Sequence, residues 1–485
     1  MEKNQSNVIS GLSWSFAERI LAQLVSTVVG IVLARLLAPD DYGIISIVMV
    51  FITFYNVFAT SGLGTAIVQK KEVDETDYNT AFWLSILQSV LLYLLLFFTA
   101  PYISAFYERP ILTSVIRVLG LRLIVTSLNT IQQAYLQRVM AFRKFFVATL
   151  FGTIVSCVVG IVLAYNGFGV WALVAQYLTN TTIDTIVLCF VCGWNPKFNF
   201  SKKKAKEIYS FGWKVLGTEL VFTLESDIRS LAVGRVFGTA DLAFYDQGRK
   251  YPSLIVNNIN SSATKVLLPV LSREQNEKDK LKTIVRKFVA PLMYFLSPVL
   301  IGFAVISNNF VIVVLTDKWL ETVPYLVIFC LAYLTRPIET ACHQAILAIG
   351  RSGLVFWIMI AINGTGILGV LFSVFVLKSV LWIALFSLIS TGISLLCFLT
   401  ATNKLIGYRF KEQMCDLLPP ICMSVIMGVV VYLWNFASVN AYALLSLQIV
   451  TGMLVYMVLS IVTKNRVFKF TLSMIRKKVR GKNEK

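Results

Sequence analysis

The sequence predicts an all-α polytopic membrane protein with 14 transmembrane helices and both termini cytoplasmic, and three observations predict it. Of 485 residues, 57% are hydrophobic and only 14% charged, where a soluble chain carries roughly a quarter charged residues. Mean hydropathy is +0.74. Apolar runs of about 20 residues recur from end to end, each long enough to cross a hydrocarbon core of roughly 30 Å. Between these runs, Lys and Arg alternate in density, and positively charged loops stay cytoplasmic.

The spans are expected at 12–36, 43–67, 80–105, 112–136, 145–165, 168–192, 211–236, 250–271, 288–308, 320–349, 354–377, 379–402, 413–435 and 441–463. The first is too long and polar-faced for a cleaved signal peptide. It carries Arg19, Gln23, Ser26 and Gly30 on one helical face. The fourth repeats that spacing with Arg122, Thr126, Asn129 and Gln133, and the sixth holds Gln176, Asn180 and Asp184. The seventh holds Glu219, Glu225, Asp227 and Arg229. The eighth, "YPSLIVNNINSSATKVLLPVL", places Asn257, Ser261, Thr264 and Lys265 on one face, and the tenth holds Arg336, Glu339, Thr340 and His343. The ninth, eleventh, twelfth and fourteenth are almost free of ionisable groups. The even-numbered loops and the tails contain 30 Lys and Arg; the odd-numbered loops contain only Arg109, Lys318 and Lys378 besides Arg249 at the edge of the eighth span. Most of the net charge of +19 is thus a topology signal. The tail "FKFTLSMIRKKVRGKNEK" suits anionic inner-leaflet lipid rather than nucleic acid.

An internal repeat divides the chain. "SWSFAERI…GIVLARLLAPDDYG" recurs as "GWKVLGTE…SLAVGRVFGTADLA", pairing Trp14 with Trp213, Arg35 with Arg235 and Asp41 with Asp241. "YNVFATSG" aligns with "VNNINSSA", and "QQAYL" with "HQAIL". The expected organisation is an N-terminal six-helix lobe (1–194), a basic cytoplasmic linker (195–210), a C-terminal six-helix lobe (211–402), two additional helices (403–463) and a basic tail (464–485). Six spans per copy make a parallel repeat, as in transporters that hold substrate between two halves.

Ionisable groups inside spans are costly and face a protein interior or a water-filled cavity. Near span ends, Arg35, Arg235, Arg249 and Lys250 are read as snorkelling to the interface, and Lys265 can do the same. Glu225 and Arg229, one turn apart, can neutralise each other. The whole pattern is better met by one hydrated cavity. Its cations would be Arg19, Arg122, Arg229, Lys265 and Arg336, matching an anionic substrate such as a diphosphate head group. Gln23, Asn129, Gln133, Asn257, Ser261, Thr264 and His343 would complete the lining. Asp184, Glu219, Asp227 and Glu339 would balance charge or carry a coupling ion, and the sequence leaves these roles open.

Other chemistry is weakly represented. The eight cysteines fall inside spans, and Cys189 and Cys192 have CxxC spacing without a second pair; buried Cys behaves as a small hydrophobe. A single His argues against a metal cluster, no Walker-type phosphate loop is present, and no cofactor is expected.

The stretches "LARLLAPDDYGIISIVMVF", "SGLGTAIVQKKEVDETDYNTAFW", "AFYDQGRKYPSLIVNNINSSATKVLLPVLSREQ" and "TDKWLETVPYLVIFCLAYLTRPIETACHQAILAIGRSG" resemble bacterial O-antigen and exopolysaccharide (Wzx-type) flippases. These belong to the multidrug/oligosaccharidyl-lipid/polysaccharide exporter superfamily. The resemblance covers nearly the whole chain. It implies a bacterial inner-membrane protein that moves undecaprenyl-diphosphate-linked oligosaccharide to the outer leaflet by alternating access, alongside polysaccharide polymerase or export machinery. A lipid II flippase and a multidrug exporter are the alternatives within the superfamily. A membrane-embedded glycosyltransferase or polymerase is the alternative of another class, and the short outer loops argue against it.

Overall fold

The computed structural model describes residues 23–469 except 24, 61, 62, 71, 140, 438 and 466; within helices, the side chains at 59, 60, 142, 143, 145, most of 211–226, 261–263, 265 and 266 are outside the description. Among the described residues the secondary structure is helical throughout, with no strand. The helices of the first part are α1 (Val25–Leu36), α2 (Pro39–Thr60), α3 (Leu63–Gln69), α4 (Glu75–Tyr107), α5 (Ile111–Arg138), α6 (Phe142–Tyr165), α7 (Val170–Cys192) and α8 (Lys202–Val236). They continue with α9 (Thr239–Arg273), α10 (Lys278–Phe310), α11 (Val323–Tyr333), α12 (Arg336–Ala348), α13 (Ser352–Phe372), α14 (Val380–Ile406), α15 (Phe410–Leu433) and α16 (Ala441–Val462).

Eleven helical segments are long and apolar enough to cross a membrane. They match eleven of the fourteen expected spans. The other three are the first, of which only the short apolar Val25–Leu36 is described, and the seventh and eighth. Those two form α8 and α9, each 35 residues long but too rich in polar residues to qualify by apolarity. Large apolar side chains such as Leu91, Leu95 and Phe98 on α4, and Met453, Leu454 and Met457 on α16, are exposed. Soluble monomers rarely expose contiguous apolar patches on this scale, and lipid is the solvent that suits them. The chain is a multi-pass membrane protein.

The chain divides into two compact units, Met1–Ala243 and Phe244–Lys485. Helix α8, expected to open the second lobe, packs with the first unit against α2, α3 and α4. The core of that unit joins Leu63 and Ile67 to Phe82, Ile131 and Leu188. The core of the second unit joins Val289 and Leu296 of α10 to Ile338 and Ala341 of α12 and Phe398 of α14.

Three local features differ from the expected pattern. The stretch expected as a linker, 195–210, is helical from Lys202 onward, and the part before it is docked. Lys197 and Ser201 donate their backbone N–H to Asn79 Oδ1 (2.8 Å) and Thr80 Oγ1 (3.1 Å), and Phe198 stacks on Trp83 at 4.4 Å. Its lysines meet the acidic start of α4, Lys197 with Glu75 and Lys204 with Asp74. The ninth span runs past its expected end at 308, because the apolar run "VIVVL" continues α10 as a π-helical turn to Leu315. The tenth span is broken at Leu334–Thr335 into α11 and α12. Pro337 begins the new helix, where its missing N–H costs nothing.

Candidate substrate site

In the first unit the polar residues of α5 pack mainly against α7. Arg122 lies eleven residues beyond Ile111, about 16 Å along the helix axis and so near mid-depth of a 30 Å core. Its Nε donates to Thr181 Oγ1 of α7 (2.9 Å), Nη1 approaches Met49 Sδ (3.8 Å), and the guanidinium lies over the Tyr177 ring at 5.7 Å. Thr181 spends its own proton on the Tyr177 carbonyl (3.1 Å), leaving its oxygen free to accept from Arg122. Among the described residues Arg122 has no carboxylate partner. Beside it lies a cavity of about 120 Å³ walled by Thr53, Asn56 and Thr126 together with Met49, Ile52 and Leu123.

One to three turns further along α5, Asn129 donates to Thr185 Oγ1 (2.8 Å) and accepts from Gln133 (3.3 Å). Asn129 is buried, and the α5–α7 contact is a ladder of polar pairs on which Arg122 is the charged rung. Thr181 and Thr185 were not singled out in the sequence. Their signal is the four-residue spacing that Thr181, Thr185 and Cys189 share, and Gln132 approaches Cys189 at 3.3 Å.

The second polar face of α7 has a different setting. Gln176, Asn180 and Asp184 lie against Gly160, Ser156 and Gly152 of α6. A Cβ on Gly152 would sit 2.9 Å from the Asn180 carbonyl oxygen. This small-residue stripe lets two membrane helices approach closely. Asp184 is half-buried at that contact, and its Oδ1 has no hydrogen-bond partner among the described residues. Gln23, just ahead of α1, bonds to Thr27 (3.4 Å). Asp227 and Arg229 on α8 are half-buried, and both have interaction partners.

In the second unit, Arg336 and Glu339 sit at the break between α11 and α12. Glu339 is buried and accepts from Thr335 Oγ1 (2.6 Å) and Ser394 Oγ of α14 (2.9 Å), with Arg336 Nη1 at 3.9 Å. Arg336 remains half-exposed. His343 packs edge-on to Phe398 and lies 3.3 Å from Gln344 Nε2. On α9, Asn257 is exposed, and Thr264 bonds back to the Asn260 carbonyl (2.8 Å). An apolar cavity of about 620 Å³ lies among α10, α15 and α16, with Tyr294, Gly302, Met427, Gly452 and Tyr456 in its wall. Arg19 lies outside the described residues, as do the side chains of Glu219, Ser261 and Lys265. Arg235, expected to snorkel, instead pairs with Glu108 at 3.1 Å. All eight cysteines are free, Cys189 and Cys192 included.

A family profile described as "Polysaccharide biosynthesis protein" matches residues 32–324, more than half of the chain. The chain belongs to this family. Its relatives include the teichuronic acid biosynthesis protein TuaB of Bacillus subtilis, 24% identical over 72% of this chain and 73% of its own. The succinoglycan biosynthesis transport protein ExoT of Rhizobium meliloti is 22% identical over 98% and 96%. The lipopolysaccharide biosynthesis protein WzxC of Escherichia coli is 22% identical over 73% and 72%. Among solved structures, the lipid II flippase MurJ in an inward closed conformation superposes with a TM-score of 0.75 at 16% identity, covering 94% of this chain and 98% of that one. The family and the transporter fold are those the sequence resemblance implied.

Proposed function

We propose that this protein is a flippase that carries a lipid-linked oligosaccharide, joined to its lipid through a diphosphate, from the cytoplasmic to the outer leaflet of the bacterial inner membrane. The observation that carries the reading is Arg122: a guanidinium near mid-membrane, held by a neutral hydroxyl, without a carboxylate partner among the described residues and beside a small polar cavity. A cation kept in a membrane span without a counter-charge is costly, and an anionic cargo is the economical reason to keep it. Its planar fork suits phosphate oxygens. The apolar cavity of the second unit suits the prenyl chain of such a lipid. Family membership and the names of the relatives, which concern surface polysaccharides, point to the same cargo class.

In this reading fourteen helices span the membrane, α1, α8 and α9 supplying the three that apolarity alone does not reveal. Both termini are cytoplasmic, and the basic tail lies against anionic lipid. Arg19 and Arg229 would serve the cargo with Arg122 in the first unit, Asp227 balancing their charge, and Lys265 and Arg336 would do so in the second, with Glu339 balancing theirs. The cargo is passed on unchanged, so the protein acts as a transporter beside polymerase or export machinery.

The test is reconstitution in liposomes with fluorescent undecaprenyl-diphosphate-linked oligosaccharide in one leaflet, with and without a pH or sodium gradient. Translocation of intact lipid supports the proposal. Covalent change of the lipid would make the protein a transferase, and export of cationic dyes without lipid movement would make it a drug exporter.

A further inference from the structure

Pro101 lies inside α4. A proline has no N–H to give the carbonyl four residues earlier, here that of Phe97. The donor that meets this carbonyl comes from the next helix: Arg117 of α5 reaches it through Nε (3.3 Å), and its guanidinium lies over the Phe97 ring at 4.1 Å. The two helices approach closely because position 120 is glycine. A Cβ there would stand 3.2 Å from the Leu96 and Tyr93 side chains. Tyr93 in turn donates its hydroxyl to the Arg117 carbonyl (3.2 Å). The guanidinium is thus held by one edge. Among the described residues, its two Nη groups meet no protein acceptor and no carboxylate.

Position along the helix limits what can meet that fork. Arg117 lies six residues beyond Ile111 in a helix of 28. Such a helix is about 42 Å long against a hydrocarbon core of roughly 30 Å. Position 117 therefore falls near one edge of the core, and side chains tilt toward the helix N-terminus, here toward the lipid phosphates. By rotation Arg117 is about 140° from Arg122, away from the α7 ladder and the polar cavity. Its own face runs Ser114, Arg117, Leu121, at spacings of three and four. Ser114 is exposed, and its hydroxyl has no partner among the described residues. Deeper in the core the exposed side chains are apolar, Leu121 on α5 and Phe98 and Leu94 on α4. Polar donors at the edge and apolar side chains beneath repeat the order of a phospholipid, head group and then chains.

We propose that Arg117 and Ser114 bind the phosphate of an anionic phospholipid in the leaflet beside the α4–α5 turn, its chains lying along Leu94, Phe98 and Leu121. The planar fork matches phosphate oxygens. A cation with no protein counter-charge favours a head group of net negative charge over a zwitterionic one, whose own ammonium competes. The occupant is surrounding lipid and not cargo, because the site is on the far side of α5 from Arg122. It therefore stands or falls apart from the transport reading.

The test is native mass spectrometry of the purified full chain, titrated with phosphatidylglycerol or phosphatidylcholine. The first phosphatidylglycerol is expected to bind Arg117→Gln about tenfold more weakly than the parent, and phosphatidylcholine to bind both alike. Arg117→Gln also takes the donor from the Phe97 carbonyl. Pro101→Ala is therefore added to it, returning a backbone N–H to position 101, and the same tenfold loss is expected in this pair. Four results would overturn the site. They are equal phosphatidylglycerol affinity in Arg117→Gln, parental affinity regained in the pair, displacement of the lipid by excess inorganic phosphate, and a matching loss of affinity for undecaprenyl diphosphate, which would give the site to cargo.

Discussion

Replacing Arg122 by Ala separates recognition from architecture, because the two respond in opposite directions. For architecture, the side chain offers one hydrogen bond of 2.9 Å to Thr181 and a long contact to Met49 sulfur. A neutral-acceptor bond of this kind contributes about 1 kcal/mol, and hydrogen bonds to charged groups about 1.5–3. Against this stands the cost of holding a cation without a carboxylate partner at mid-depth, which is several kcal/mol before relaxation. Deleting the group therefore leaves the melting temperature within about 2 °C of the parent, or raises it. For recognition, losing a charge-assisted contact to phosphate costs about 1.5–3 kcal/mol. The apparent affinity for the lipid diphosphate falls by roughly 10- to 150-fold. Arg122→Lys keeps the charge but loses the fork, so its transport is expected between the two. The assay is initial flipping rate against lipid concentration in liposomes, with thermal unfolding of the same preparations alongside. Parental flipping in Arg122→Ala refutes the reasoning, and so does a loss of flipping that only tracks a loss of folded protein.

Three other perturbations have directions fixed by geometry. Gly43→Ala puts a Cβ inside the Thr239 carbonyl, and because that neighbour is backbone it cannot rotate away; a loss of about 2–4 kcal/mol in stability is expected, read by thermal unfolding. Asp416→Asn weakens a two-pronged pair with Arg286 (2.6 and 2.8 Å) and an acceptor for Tyr408 (2.7 Å) that tie α10 to α15. About 1–3 kcal/mol should be lost, with a smaller effect when Arg286 is already Ala. Asp74, outside the spans, has its pKa lowered to about 2 by the Lys204 ammonium and then the Asp77 backbone N–H. A depressed folded pKa means its contribution is complete above the usual value of 3.8 and is lost as pH falls from there toward 2. Hydrogen exchange of segment 195–204 should be unchanged from pH 7 to 5 and accelerate, relative to intrinsic rates, only below about pH 4.

What the sequence made legible, and what it hid, divides along one physical line. A run of apolar residues reports its own solvent, so eleven spans could be read one at a time without knowing their neighbours. The two longest helices, α8 and α9, were legible by length and repeat even though their polarity lowers their hydropathy, because "SLAVGRVFGTADLA" echoes "GIVLARLLAPDDYG". The break inside the tenth span was hidden: apolar "VPYLVIFCLAY" gives way to polar "RPIETACHQ" without a helix-ending glycine, and only Pro337 marks where the helix restarts.

Polar stripes obey a stricter limit. Helical period tells which residues share a face, not what that face meets. Arg122, Asn129 and Gln133 share a face by spacing, yet the partners of Arg122 and Asn129, Thr181 and Thr185, belong to another helix 59 and 56 residues away. For Gln176, Asn180 and Asp184 the same reasoning pointed to a hydrated passage, whereas the face meets Gly152, Ser156 and Gly160. That complementary stripe has the same four-residue spacing, so the pairing was present in the sequence as two matching patterns on consecutive helices. The distinction bears on mechanism. A polar face closed by small residues binds helix to helix, while one left beside a cavity, as at Arg122, is available to cargo. Among the described residues, of the charged groups the sequence raised in the first six spans, Arg122 is therefore the one whose setting calls for a ligand rather than a neighbour.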